Sequence, residues 1–196
     1  TELKRAEQAE RQEREFAEAL ASTASLISST LDLDEVLDRI LDRVAAVYPL
    51  TTVEIILIED EEAYVARSRA PVNSSQYAAL LSSRFVVSET RNLREMATTG
   101  KPVYIPDVRE YDGWLHTLAA DWMRSSLGAP ILLEGETIGF LNMNSDKPGA
   151  FSALHAARLQ AFCDQAAIAI RNARLYDEVR RHAGELEALV AKRTAE

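Results

Sequence analysis

Residues 124–144 read RSSLGAPILLEGETIGFLNMN, and this stretch decides the fold. In its first half every second residue is apolar, as on one face of a strand: Leu127, Ala129, Ile131 and Leu133. Glu134-Gly135 then predicts a tight turn, and a second apolar run begins at Ile138. The stretch therefore predicts a β-hairpin.

A long helix is predicted to follow this hairpin. The chain must leave the sheet at Asp146-Lys-Pro-Gly, because proline lacks a backbone donor. Ser152 suits an N-cap, and apolar residues then recur at helical spacing, weakened only by Gly184. A helix of about 45 residues would be roughly 65 Å long. Since that exceeds one domain, we expect its distal half to pack against a partner.

The spacing in this helix favours a second copy of the chain as that partner. The apolar positions step by four and three, with valine at a and leucine at d, which is typical of parallel two-stranded coiled coils. An asparagine at an a position sets the register of such a pair. The predicted seam residues are Asn172, Leu175, Val179, Leu186 and Leu189. An equally weighted alternative places Asn172 at the domain edge, bonded to backbone or water.

Residues 1–30 are predicted to form a second extended helix. Phe16, Leu20 and Ile27 lie on its four-three stripe and extend the predicted dimer seam. Asp32 and Glu35 resemble a capping box and predict the start of a strongly amphipathic helix. Both ends of the sequence look like cuts through continuing helices, so we expect an attached output domain outside this sequence.

Composition limits the classes of partner. The chain has 196 residues and 47% apolar residues, enough for one core of about 140 residues. A net charge of −9 argues against nucleic acid or direct membrane contact. The single cysteine excludes an internal disulfide, and no apolar run is as long as a membrane span. We therefore expect a cytoplasmic location.

Short strands and helices are predicted between the two long helices. Thr52–Glu59 and Tyr64–Arg69 suggest a hairpin that turns at Asp60 to Glu62. The remaining candidates are strands at 84–87 and 102–105 and short helices at 74–83 and 93–99. Hairpin and short-turn connections favour an α+β fold with a mainly antiparallel central sheet flanked by helices.

One sheet face is predicted to carry a ligand pocket. Residues 106–123 suggest a loop with broken helix that covers this face. Asn142 and Asn144 share a strand face with Phe140, which is unusual for an apolar core. The candidate pocket residues are Trp114, His116, Trp122, Asn142 and Asn144. For the tryptophans we favour the simpler alternative of ordinary core packing.

Four stretches in order carry a family resemblance: residues 29–37, 99–108, 126–142 and 151–176. Together they resemble the GAF domain family, small-molecule sensing modules related in fold to PAS domains. The resemblance implies a GAF/PAS-like sheet with long N- and C-terminal coiled-coil-type helices. It divides the chain into an N-terminal signalling helix (1–30), a GAF sensor domain (31–172) and a C-terminal coiled-coil output helix (173–196).

The sequence lacks residues that family members use to bind their known ligands. Members that bind cyclic nucleotides carry an acidic pair where this chain has His155 and Ala156. Bilin-binding members attach their chromophore to a cysteine in the segment that corresponds to 106–124, which has none. The methionine-sulfoxide-reducing relatives need several cysteines, whereas Cys163 is alone. His116 could ligate haem or a metal, but no second ligand accompanies it. We predict no metal and no catalytic residues, the sequence does not identify a cofactor, and we expect this chain not to be an enzyme.

The sequence thus favours a regulatory sensor module of a dimeric bacterial signalling protein, coupling small-molecule or partner input to an output domain through parallel helices. Residues 186–196 resemble the helix before the phosphoacceptor region of sensor histidine kinases in two-component systems. By family, the parent could also be a cyclic-dinucleotide enzyme or a transcription regulator. Two alternatives remain: a ligand-free dimerisation spacer, and a bilin- or haem-bound photoreceptor or gas sensor.

Overall fold

The computed structural model describes residues 10, 11, 14, 16, 17, 32–49, 51–70, 82–115 and 120–194, without the side chains of 188, 189, 191 and 194. Leu20, Ile27 and His116 lie outside this part of the chain, as does most of the predicted helix 74–83. The side chain of Leu189 is likewise not described.

The described strands form one antiparallel sheet. They are β1 (Thr52–Glu59), β2 (Glu62–Arg69), β3 (Arg84–Val86), β4 (Val103–Ile105), β5 (Ser125–Leu133) and β6 (Glu136–Ser145). Their spatial order is β3-β2-β1-β6-β5-β4. Three helices lie between residues 32 and 194 of the described chain: α1 (Leu33–Val47), α2 (Arg91–Thr99) and α3 (Ala153–Thr194). The predicted α+β class is confirmed.

Both predicted hairpins close through tight turns with left-handed backbone. Glu134 and Gly135 have φ of 54° and 89°, and Asp60 and Glu61 have φ of 50° and 69°. Two successive residues with positive φ give a two-residue turn a backbone twist that matches the twist of the flanking strands. The first turn is shorter than predicted, because Glu62 already pairs with Glu59 in the ladder.

The two faces of the sheet are covered differently. Helices α1 and α3 pack on one face and bury the larger hydrophobic core. Its fully buried large side chains include Leu37, Leu41, Ile55, Leu57, Leu127, Ile131, Leu141, Met143, Leu159 and Phe162. The opposite face carries two smaller clusters, built from α2, β4 and parts of the 106–123 segment. The candidate site lies on this second face.

Asp32 caps α1 as the sequence predicts. Its carboxylate Oδ1 accepts a hydrogen bond from the Glu35 backbone N–H at 2.9 Å. We expect Asp32→Ala to lower the free energy of unfolding by about 1 kcal/mol, because the helix loses the side-chain acceptor of its N-cap. Asp32→Asn is the matched control, since asparagine caps equally well. Urea denaturation measures both, and equal stability of the two variants would contradict this role.

Helix α3 leaves the domain part-way along its length. Its side chains are buried in the core as far as Ala173, whereas every described side chain from Leu175 onward is exposed. The helix spans 42 residues, or roughly 63 Å at 1.5 Å per residue. Nowhere in the described chain is a helix apolar enough over sufficient length to cross a membrane.

Candidate functional site

A cavity lies between the second sheet face and the elements that cover it. Its volume is about 70 Å³, several times the ~10–15 Å³ that one water molecule requires. Its apolar lining is Ile56, Val65, Phe85, Leu93, Trp114, Leu115, Ala120 and Met123. Its polar lining is Glu54, Thr90, Asn92, Ser126, Asn142 and Asn144. A few polar groups within an apolar wall are typical of small-molecule sites.

The sheet register assembles the polar floor of this cavity. Glu54 in β1 pairs directly with Asn142 in β6, and Asn144 pairs with Ser126 in β5. Residues two apart on a strand share a face, so all four side chains point to the same side of the sheet. The Ser126 hydroxyl donates to Asn144 Oδ1 at 2.8 Å, and Asn144 Nδ2 donates to Glu54 Oε2 at 3.4 Å.

Two oxygen atoms of this polar floor have no hydrogen-bond partner in the described protein. They are Glu54 Oε1 and Asn142 Oδ1, and both are buried. The residues themselves are 3% and 7% exposed. An unpaired buried oxygen costs roughly 1–3 kcal/mol. The site therefore holds acceptors that a hydrogen-bond donor would satisfy.

Burial also changes the protonation of Glu54. Removal of the carboxyl group from water raises its pKa to about 7, while the hydrogen bond from Asn144 acts in the opposite direction. Near neutral pH the side chain is thus divided between the acid and the carboxylate. It can donate a hydrogen bond in one form and pair with a cation in the other.

Gly128 gives the floor its shape. It pairs with Asn142 across the ladder, so it extends the row that begins at Glu54. A Cβ at Gly128 would lie 2.6 Å from Asn142 Oδ1 and 2.8 Å from Met96 Sδ. The missing side chain therefore leaves room for the Asn142 amide and for the Met96 side chain above it.

The covering segment is fixed at its start by an ion pair. Arg124 Nη2 lies 2.6 Å from Asp107 Oδ2, and the Arg109 backbone N–H donates to Asp107 Oδ1 at 3.1 Å. The hydrogen bond from Arg124, followed by that from Arg109, holds the pKa of Asp107 below its usual value. Val108 N–H donates to Arg124 O at 2.9 Å. These bonds position the segment that delivers Trp114 to the cavity.

The residues predicted for the pocket do not all meet there. Trp114, Asn142 and Asn144 line the cavity, and His116 is outside the described residues. Both tryptophans pack on the neighbouring cluster around Ile105 and Met123, but Trp122 does not line the cavity. Glu54 is the important residue that sequence reasoning missed. The available signal was a charged residue on the alternate face of an otherwise apolar β-branched run.

The single cysteine lies on the other side of the sheet from the cavity. Cys163 is fully buried in the core between α3 and β5, and its Sγ lies 3.5 Å from Ala129 O. Burial raises the pKa of its thiol well above the usual value. Because this is the only cysteine in the sequence, the residues do not fit a thiol-linked chromophore in this cavity.

Comparison with protein families decides what this architecture is. A model of the GAF domain matches residues 30–171, which is most of the sequence. This chain belongs to the GAF domain family. GAF domains are regulatory and sensor modules found in signalling proteins. A comparison with curated proteins gives no match.

Solved structures share the GAF fold at low sequence identity. The GAF domain of an Acinetobacter phosphoenolpyruvate-protein phosphotransferase is 18% identical, with TM-score 0.67, over 83% of this chain and 97% of that one. A bacteriophytochrome from R. palustris is 14% identical, with TM-score 0.67, over 91% of this chain and 41% of that one. At these identities the similarity shows the fold alone.

The prediction that this chain is not an enzyme is wrong, because a solved structure with the same fold is an enzyme. A free methionine-R-sulfoxide reductase from Neisseria meningitidis, solved in complex with its substrate, is 17% identical with TM-score 0.67. The match covers 82% of this chain and 91% of the reductase. The GAF fold thus carries enzymes as well as regulatory modules, and membership of the family excludes neither role.

Proposed function

We propose that this GAF domain is the sensor module of a dimeric bacterial signal-transduction protein, and that it binds a small molecule in the cavity above Glu54. The observation that carries the proposal is the polar floor with two unpaired buried oxygens, Glu54 Oε1 and Asn142 Oδ1, beneath an apolar wall. Unpaired buried polar atoms destabilise the folded state, so a ligand that donates hydrogen bonds to these two oxygens would stabilise it.

The same strands that form the floor also contact α3, which supports a route for the signal. Ser126 lies in the floor, while Leu127 and Ala129 of the same strand pack in the core against α3. Gln160 Nε2 donates to Pro130 O at 3.1 Å, and Arg171 pairs with Glu134 at 3.0 Å. We propose that ligand binding shifts β5 and β6 relative to α3 and so biases its packing.

The distal part of α3 supports a homodimer. Leu175, Val179 and Leu186 are 48%, 65% and 63% exposed in the single chain, although they recur at coiled-coil spacing. Asn172 at the start of this stripe would set the register. Phe16, also predicted for the seam, instead stacks edge-on against Phe162 of its own chain at 5.7 Å between ring centroids. We therefore assign the proposed seam to α3.

The proposed output unit follows α3. Residues 186–196 resemble the corresponding helix of sensor histidine kinases, so we propose a cytoplasmic two-component protein as the parent. Rotation or register shift of paired α3 helices would then carry the signal.

A thermal-shift screen against a broad metabolite library tests the ligand proposal. We expect at least one compound to raise the melting temperature of the wild-type domain and to lose this effect in Trp114→Ala, because Trp114 lines the cavity. Trp122→Ala is the matched control, since Trp122 packs outside the lining. Stabilisation follows from preferential binding to the folded state. Absence of any hit would favour the ligand-free spacer.

Disulfide crosslinking tests the dimer proposal. Cysteines at Leu175 and Val179, placed singly in a Cys163→Ala background, should each crosslink two copies, because a and d residues face their counterparts in a parallel pair. Asp177→Cys is the control, since position 177 falls on the outward side of the same heptad. Crosslinking at 177 alone, or at none of the three, would contradict the proposed seam.

A further inference from the structure

We propose that the ligand of this cavity carries a cationic nitrogen group that donates hydrogen bonds, next to a compact apolar body, and that Glu54 and Asn142 bind this group. The inference rests on the proposed function, in which the cavity is a ligand site. It goes further by assigning the ligand's charge and hydrogen-bonding character.

The unpaired atoms favour a ligand that donates hydrogen bonds. Asn142 Oδ1 is an acceptor, and Glu54 Oε1 is one when the carboxyl group is ionised. Asn142 Oδ1 lies over Gly128 of β5, on the side of Asn142 away from Glu54 of β1, so a ligand bonds both oxygens through N–H donors that diverge toward β1 and β5. A ligand carboxylate or phosphate would instead bring negative charge to two unpaired oxygens.

The charge of the cavity lining favours a cationic ligand. Glu54 is the only titratable or charged side chain among the described residues that line the cavity. At the edge of the sheet, Asp107 and Arg124 are paired with each other and do not line it. No described lysine, arginine or histidine therefore neutralises Glu54 from within the lining. A ligand cation would supply the missing counter-charge in a desolvated site, where charge pairing is strongest.

The shape and polarity of the rest of the site favour a compact apolar body. Phe85, Leu93, Trp114 and Met123 provide apolar and aromatic walls around the acidic floor. A volume of about 70 Å³ gives room for a small apolar group between these walls. An aromatic ring or short alkyl group bearing a primary amine matches this combination of acidic floor and apolar wall.

Protein-observed NMR titrations with three probes of similar shape test the inference: benzylamine, benzyl alcohol and benzoate. We expect saturable shifts at the cavity with benzylamine, at least tenfold weaker binding of the neutral alcohol, and no binding of benzoate. Glu54→Gln, which keeps the shape of the side chain but removes its charge, should weaken benzylamine binding at least tenfold. Because only one of 31 acidic residues is changed, non-specific attraction to this acidic chain would survive the substitution.

The pH dependence provides a second readout. Benzylamine stays protonated between pH 6 and 8, so its affinity should rise about tenfold over this range as Glu54 ionises. This rise should disappear in Glu54→Gln. Histidine side chains as a class titrate in the same region, so His116→Ala is the control, and it should retain the rise if Glu54 is the titrating group.

The outcomes separate this inference from the proposed function. If benzyl alcohol or benzoate binds the cavity as tightly as benzylamine, or if Glu54→Gln binds benzylamine normally, the cationic-ligand inference is overturned while the sensor proposal stands. If benzylamine fails to bind and the metabolite screen still gives a Trp114-dependent hit, the cationic-ligand inference is likewise overturned and the sensor proposal stands. If no probe and no library compound binds, both proposals fail.

Discussion

Gly139→Ala should lower the free energy of unfolding by about 3 kcal/mol, the upper part of the range for overpacked sites. A Cβ at Gly139 would lie 2.3 Å from the Ile56 carbonyl oxygen and 3.1 Å from Leu57 Cδ2. The first of these atoms is backbone, so it cannot move aside as a flexible side chain can. Relief requires β1 and β6 to separate where Leu57 pairs with Gly139 and Ile56 with Phe140.

Gly184→Ala is the matched control for this substitution. A Cβ there meets no atom within 4 Å on the described chain, and alanine is favoured over glycine in a helix by about 1 kcal/mol. Because position 184 is exposed on the distal part of α3, outside the domain core, we expect unchanged stability of the core and a small gain in helical circular dichroism. Urea denaturation of both variants measures the difference. If Gly139→Ala were as stable as Gly184→Ala, the close approach of β1 and β6 would be contradicted.

The stability of the domain should fall as pH rises from 5 to 8, through Glu54. The pKa of this carboxyl is raised from 4.5 to about 7 in the folded chain. Between these two values the folded chain retains a proton that the unfolded chain has released, so each increase in pH favours unfolding. The expected loss from this group is roughly 2–3 kcal/mol, taking about 1.4 kcal/mol for each pKa unit.

Glu54→Gln isolates this contribution from those of other titrating groups. Glutamine keeps an oxygen to accept from Asn144 Nδ2, but it does not ionise. The difference in unfolding free energy between wild type and Glu54→Gln should therefore change by roughly 2–3 kcal/mol between pH 5 and pH 8. Denaturant titrations at both pH values provide the measurement. A difference that is independent of pH would show that Glu54 is ionised normally in the folded domain.

Local patterns predicted most of the fold. The alternation from Leu127 to Leu133 and the Glu134-Gly135 turn were sufficient for β5 and β6, because strand faces and turn conformations depend on nearby residues. The length of α3 followed in the same way from uninterrupted helical spacing. The N-cap role of Asp32 also needs only four consecutive positions to recognise.

The site depends on tertiary placement and was less predictable. Glu54 lies within a β-branched run. Its burial follows from the position of β1 between β2 and β6 in the sheet. The alternation of residues within β1 alone does not specify that position. Trp114 and Trp122 have similar sequence surroundings, yet only Trp114 lines the cavity, because the path of a covering loop is set by distant contacts such as Asp107 with Arg124. The prediction that this chain is not an enzyme relied on the absence of catalytic motifs. The GAF fold does not support that prediction, because an enzyme shares it.

An NMR titration of the Glu54 side-chain carboxyl carbon, assigned by its loss in Glu54→Gln, tests the buried acidic floor. We predict a midpoint near pH 7, since Glu54 is buried in the cavity floor. Addition of benzylamine should move the midpoint to lower pH, because the cation favours the carboxylate. A midpoint near 4.5, the ordinary value for glutamate, would contradict the buried acidic floor on which the proposed ligand site depends.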